Sequence, residues 1–204
     1  MHAPALAWFV SAVAFAVSMS ASPGPNNAMV AASGATFGFA RSLPHMLGVA
    51  IGFPVMLVLV ALGAGDVLRA APVVHEVLRW VGAAYLLWLA FRIATSSPSS
   101  KEAAGGPRPL SFLQAALFQW INPKAWVIAV SAVLTFTTAG AYALPQAAML
   151  AATFLVVILP ALAFWTMTGV GAARLLRTAR RIRAFNLAMA ALLVAAVAGL
   201  LREA

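Results

Sequence analysis

Two short stretches carry the residues that could do chemistry. In Gln119-Trp120-Ile121-Asn122-Pro123-Lys124-Ala125-Trp126, two amides, a proline and an ammonium interrupt an apolar run. Nearly a hundred residues earlier, Ser22-Pro23-Gly24-Pro25-Asn26-Asn27 interrupts another apolar run in the same way. Proline lacks the backbone donor and clashes with the preceding turn, so a helix must kink or break at both places. Inside a bilayer the carbonyls freed by a break must face protein or a water-filled cavity. Broken apolar segments at corresponding places in two halves of a chain point to a ligand site at their junction.

Such a junction suits a small zwitterion. Half-helix N-termini present N–H groups to a carboxylate, and half-helix C-termini present carbonyls to an ammonium. Pro23, Gly24, Pro25, Asn26, Asn27, Gln119, Asn122, Pro123 and Lys124 are the candidate binding residues, the four amides offering donors and acceptors. Lys124 is the one ionisable residue well inside an apolar segment, where a lysine costs about 2.5–3.5 kcal/mol to insert. No Asp or Glu lies in these segments to pair with it. Either it binds a substrate carboxylate or changes protonation during a transport cycle, or it caps backbone carbonyls or snorkels to an interface. His45, near the end of the second apolar segment, is a second proton-coupling candidate because imidazole titrates near neutral pH. Its alternative role is that of an ordinary polar residue at a helix end. Trp120 and Trp126 flank the break and are placed to wall a pocket, although aromatic residues of this kind mostly anchor and pack.

The elements that must position these groups are apolar helices. The chain has 204 residues, 64% of them hydrophobic and 8% charged, with a mean hydropathy of +0.97. A soluble domain carries about 25% charged residues, so the class is an all-α polytopic membrane protein. Apolar runs of about 20 residues exclude the short alternating segments of a β-barrel. Spans are expected over 5–21 with a second piece at 28–37, then 43–62, 77–94, 110–136 with its break, 144–168 with a kink at Pro160, and 184–201. The first span and its second piece together exceed a bilayer: about 33 residues make roughly 50 Å of helix against a core of about 30 Å. A helix start is expected at Ser42-Leu43-Pro44, and a solvated connector carrying Asp66, Arg69, His75 and Glu76. Gly48 and Gly52 share one helix face and permit close backbone approach.

A Ser-, Pro- and Gly-rich linker over 96–109 divides the chain into repeat 1 (1–95) and repeat 2 (110–204), each with three apolar segments and an early proline break. Nine basic residues (Arg41, Arg92, Lys101, Arg108 and the cluster Arg174, Arg177, Arg180, Arg181, Arg183) fall on one side, against Arg69, Arg79 and Arg202 on the other. Positive charge marks the cytoplasmic side, which puts both termini outside. Three spans per half then make the repeats inverted: six transmembrane helices, the first and fourth broken by proline. The arginine cluster suits anionic lipid, so the net charge of +9 does not imply nucleic acid. Cysteine is absent, which removes disulfides, thiolate metal sites and a cysteine nucleophile. The first basic residue is Arg41, so no signal-peptide pattern opens the chain. No acid/base pair, metal cluster or nucleotide-binding loop supports an enzyme, a metal site, a cofactor or an ATP-driven pump.

Pro23-Gly24-Pro25-Asn26, the glycine-spaced second span, Gly82-Ala83-Ala84-Tyr85-Leu86 and Asn122-Pro123-Lys124-Ala125 resemble, in order and over essentially the whole chain, the LysE/RhtB family of amino-acid exporters. The resemblance implies export of amino acids or related small metabolites across the bacterial inner membrane, driven by the proton-motive force. Family members that export basic amino acids often carry an intramembrane Asp; this chain has none. That departure favours a neutral amino acid of the homoserine/threonine or branched-chain type and leaves the proton carrier open. The expected partners are therefore an amino acid, protons and lipid, and the small-residue faces are compatible with a homodimer. An exporter of another solute or cation, or a non-transporting membrane protein, is the alternative.

Overall fold

Proline and glycine set where the helices start and stop. The computed structural model describes residues 3–64, 72–95, 108–138, 142–175 and 179–202, and every regular element among them is helical. Helix α1 (Ala3–Ala21) ends at the first proline break, and α2 (Pro25–Phe37) begins with proline in its first turn, where the missing N–H has no partner to lose. The two are bent by 54°. Gly38, with φ of 81°, separates α2 from α3 (Phe39–Leu59). The chain turns at this glycine and not at Ser42-Leu43-Pro44, because a positive φ is open to glycine and strained for other residues. Ser42 instead lies inside the first turns, its hydroxyl donating to the Gly38 carbonyl at 2.9 Å. A π-helical turn over Val60–Ala64, containing Gly63 at φ 103°, closes α3 where the sequence placed the end of that span.

Helix α4 (Pro72–Thr95) starts earlier than expected, again on a proline, so His75 and Glu76 belong to a helix rather than a connector. Asp66 and Arg69 lie outside the described residues, as do 96–107 of the linker. Helix α5 (Phe112–Phe118) opens on a reciprocal cap in which Ser111 and Gln114 each bond the other's backbone N–H. A 3-10 turn over Gln119–Ile121 and the Asn122-Pro123 break lead into α6 (Pro123–Phe136), bent by 71° from what precedes it. Helix α7 (Ala143–Leu175) runs through Pro160 as one 33-residue element. Helix α8 (Ala179–Arg202) follows so closely that Arg174 sits in the last turn of α7 and Arg180, Arg181 and Arg183 begin α8. Arg174, Arg180, Arg181 and Arg183 of the basic cluster are thus carried on helix ends, while Arg177 lies outside the described residues.

Backbone contacts at glycine hold the bundle together. A Cβ added to Gly34 would collide with the Thr166 carbonyl, and one added to Gly169 with the Ala31 carbonyl, so α2 and α7 lie backbone to backbone. Gly48 and Gly52 of α3 abut Phe112 and Ala116 of α5, which is the close approach their spacing predicts. Gly82 of α4 rests on the Ile121 carbonyl at the second break, and α4 also packs along α8. The core between these helices is apolar, built on residues such as Phe53, Met56, Leu150 and Phe154. The exterior is apolar too: Val156 and Phe164 are 71% and 68% exposed. Two helices, Phe39–Gly63 and Ala143–Leu175, are long and apolar enough to cross a membrane, and each bent pair counted as one span makes four.

Gly169→Ala is expected to destabilise the protein by about 1–3 kcal/mol through overpacking against Ala31. Gly171→Ala, two residues on and facing open space, should be neutral or slightly stabilising. Thermal melts of the two variants in detergent check the pair, and equal shifts would remove the α2–α7 backbone contact as a stability determinant.

Candidate functional site

The first break leaves the last carbonyls of α1 without helical partners, and side chains take up nearly all of them. The Ser22 hydroxyl donates to the Met19 carbonyl at 2.9 Å. Asn27, 6% exposed, donates its amide to the carbonyls of Ser20 and Ser22 at 2.8 and 2.9 Å. The Trp165 indole reaches the Ala21 carbonyl at 3.3 Å. Lys124 completes the set from the other half of the chain: its Nζ donates to the Ser22 carbonyl at 2.8 Å, the Ser22 hydroxyl at 2.7 Å and the Pro23 carbonyl at 3.1 Å. All three ammonium protons are thereby committed. Hydrogen bonds to a charged group contribute about 1.5–3 kcal/mol each, enough to offset the cost of inserting the lysine. Gly24 makes room for this crossing, since a Cβ there would lie 2.7 Å from the Lys124 Cδ.

Of the two roles the sequence left open for Lys124, the geometry is that of a carbonyl cap. It also alters the expected zwitterion site. The carbonyls that were to receive a ligand ammonium already hold the lysine's, because a tethered cation 102 residues away along the chain satisfies them without a diffusible ion.

At the second break Asn122, 2% exposed, caps α6: its Oδ1 accepts from the Lys124 N–H at 3.2 Å. The Trp126 indole donates to the Trp120 carbonyl at 2.8 Å, and the two rings meet edge to face. These tryptophans repair the backbone and are not among the residues that wall the chamber described below. A paired amide bridge ties the two breaks together: Asn26 Nδ2 donates to Gln119 Oε1 at 2.9 Å, and Gln119 Nε2 donates to Asn26 Oδ1 at 3.3 Å. The fully buried Gln119 also donates to the Ala115 carbonyl at 2.8 Å, so it braces the site from behind.

Between the breaks lies a chamber of about 50 Å³. Gly24, Asn26, Asn27, Asn122 and Lys124 line its polar side. Val49, Phe53, Phe154 and Ile158 line the apolar side, with Phe53 and Phe154 at a ring-centroid distance of 5.0 Å. Pro23 contributes its carbonyl, while Pro25 and Pro123 act by starting α2 and α6. The sequence reading missed Ser22 as a ligand of Lys124, although it stands inside the break, and missed the apolar wall. The signal for that wall was a proline in each of α3 and α7: Phe53 precedes Pro54, and Ile158 and Ala161 flank Pro160. The N–H groups of Asn26 and Asn27 belong to the first turn of α2, which has no intrahelical acceptor to offer them and no side-chain cap on Gly24. With Lys124 beside them, they make this side of the chamber electropositive. His45 does not join the chamber; it lines a separate cavity. Among the described residues, no three of His, Cys, Asp and Glu stand close enough to hold a metal.

The amide bridge is open to a double-mutant cycle. Asn26→Ala and Gln119→Ala are expected to couple by about 0.5–3 kcal/mol in unfolding stability. Strictly additive effects would mean that the two breaks are not energetically joined there.

Comparison with known proteins bears on what the chamber serves. Over 114 residues, 56% of the chain, it is 36% identical to proteins named "Cysteine/O-acetylserine efflux protein" from Salmonella choleraesuis (strain SC-B67) and Escherichia coli O157:H7, and 35% identical to one from Salmonella typhi. The match spans only 57% of the length of each of these relatives. No solved structure matches the chain. The model of the family described as "LysE type translocator" matches residues 17–203, taking in both breaks, the chamber and nearly every helix, and the chain therefore belongs to the LysE family of translocators.

Proposed function

We propose that the protein exports a neutral amino acid, or a closely related small zwitterion, across the bacterial inner membrane by alternating access around the chamber, as an exporter of the RhtB type. The observation that carries this reading is the meeting of the two proline breaks around Lys124, with the first turn of α2 beside it. The substrate carboxylate sits against the Asn26 and Asn27 N–H groups. Its ammonium competes with Lys124 for the Ser22 and Pro23 carbonyls, and the Lys124 ammonium so displaced turns to the carboxylate. A chamber lined by one cation and no carboxylate among the described residues disfavours a net-cationic ligand such as a basic amino acid. The relatives' names agree in charge class, since cysteine and O-acetylserine are both neutral zwitterions near pH 7.

The six-span inverted repeat is part of the proposal. Helices α4 and α8, at 24 residues each, extend about 36 Å, longer than the hydrocarbon core of about 30 Å. The repeat pairs α1 with α5, α2 with α6, α3 with α7 and α4 with α8. Pro54 and Pro160 stand in corresponding helices, and the α3–α5 contact has its counterpart in α1 against α7. One pair is unequal: α2 is pressed backbone to backbone on α7, while α6 meets α3 only sparsely. Inequality between two halves is what alternating access exchanges. In this reading both termini lie outside, as the distribution of basic residues supports, and protons drive export with Lys124 or His45 as carrier. A potential of roughly 150 mV is worth about 3.5 kcal/mol per charge, which sustains a gradient on the order of 300-fold. The exposed apolar helices face lipid or, in part, a second copy in a homodimer.

Lys124→Ala is expected to reduce export of O-acetylserine from proteoliposomes under an imposed pH gradient by more than tenfold, with insertion unchanged. Unimpaired export would take Lys124 out of the site. Because the chain has no cysteine, single cysteines introduced in the 96–109 linker report orientation directly. They should react with a membrane-impermeant maleimide only from the cytoplasmic side; labelling from outside reverses the topology.

A further inference from the structure

A second cavity, about 110 Å³, lies between α2, α3 and α4 beside the end of the linker. It is separate from the chamber, and α2 is shared: its N-terminus faces the chamber, while Ser33 and Thr36 near its C-terminus face this cavity. His45 of α3 lines the cavity at 2% exposure, and both its ring nitrogens lack a hydrogen-bond partner among the described residues. Buried polar groups in native structures are nearly always paired, so a histidine with two orphan nitrogens in the wall of a cavity is a group that a small rotation or a ligand could satisfy.

The chemistry of the wall says what that is. Arg92 and Arg108 line the cavity, and none of the described lining residues is Asp or Glu. Two guanidinium groups with no carboxylate present bidentate donors for an anion of carboxylate geometry. Arg92 is held over the Trp88 ring at 5.3 Å, which positions its fork at the wall. The hydroxyl protons settle the other pole. Ser42 gives its proton to the Gly38 carbonyl at 2.9 Å, so in the 2.7 Å contact between Ser33 and Ser42 the proton belongs to Ser33. Ser33, a residue of the cavity wall, therefore has acceptor lone pairs to offer and no free proton. An acceptor for an ammonium and donors for a carboxylate line one cavity, with the arginines at its exposed side and an imidazole in its wall that offers one of each.

We infer that this cavity is a second binding site for a small amino-acid zwitterion, a loading site on the linker side of the bundle that is distinct from the chamber. The assignment rests on the export reading for its direction, cytoplasm before chamber, but its ligand chemistry is read from the cavity's own wall.

The absence of native cysteine permits a direct test. In the Thr36→Cys variant, purified and placed in nanodiscs of neutral lipid, the rate of alkylation by N-ethylmaleimide reports access to the cavity. O-acetylserine at millimolar concentration is expected to slow labelling at least fivefold, and equimolar acetate to do much less. Protection should persist when Lys124→Ala is added and be lost when Arg92→Gln or His45→Leu is added, with Arg92→Lys retaining part of it. Size-exclusion profiles of each variant exclude misfolding as the cause. Absence of protection, equal protection by acetate, or loss of protection with Lys124→Ala alone would each overturn the proposal. So would slowed labelling by phosphatidylglycerol in the disc with no response to O-acetylserine, which would make the cavity a lipid headgroup site. Protection without export in proteoliposomes would leave the cavity site standing and remove the exporter; export without protection would do the reverse.

Discussion

A lysine ammonium can sit among apolar helices only where oxygens replace its water. Here the oxygens are backbone carbonyls that a proline break has released, together with one serine hydroxyl. Each defect answers the other: the broken end of α1 needs donors, and the cation of α6 needs acceptors. The contact joins residues 102 positions apart and fixes how the two halves of the chain face each other. The amide bridge from Asn26 to Gln119 joins the same two breaks, and the glycine contacts of α2 with α7 hold α2 beside them. The fold is organised around the satisfaction of exposed peptide groups more than around its core, since apolar packing gives little preference between two helices in lipid.

Much of this was legible in the sequence, for a physical reason. A Pro-Gly-Pro or Asn-Pro inside twenty apolar residues has few interpretations, so both breaks and the helices flanking them were readable before any coordinates. The glycine pair at 48 and 52 was readable as a close approach for the same reason. What the sequence did not carry was partnership across long separation. Nothing local says that the Lys124 ammonium finds Ser22, that Asn26 pairs with Gln119, or that His45 lines a different cavity from the breaks. Helix starts differ from the sequence pattern where a proline occupies the first turn, as at Pro72, and where the chain turns at Gly38 and not at Ser42. The apolar wall of the chamber was missed because Phe53 and Phe154 look like any other core residue until their neighbours are known.

The thirteen residues of α2 sit at the centre of the molecule's polar features. One end touches the chamber, the other a basic cavity, and its flank is pressed on α7 through Gly34 and Gly169. The segment is bounded by Gly24 at one end and by Gly38, at positive φ, at the other, so one unbroken helix spans the distance between the two cavities.

The Lys124 contact has a bearing on the idle cycle of a carrier. A site with bare carbonyls would invite stray sodium or potassium. Here a side-chain ammonium occupies those carbonyls, anchored so that it cannot leave. On the export reading proposed above, only a solute bringing both an amine and an acid group offers more than the tethered substitute does.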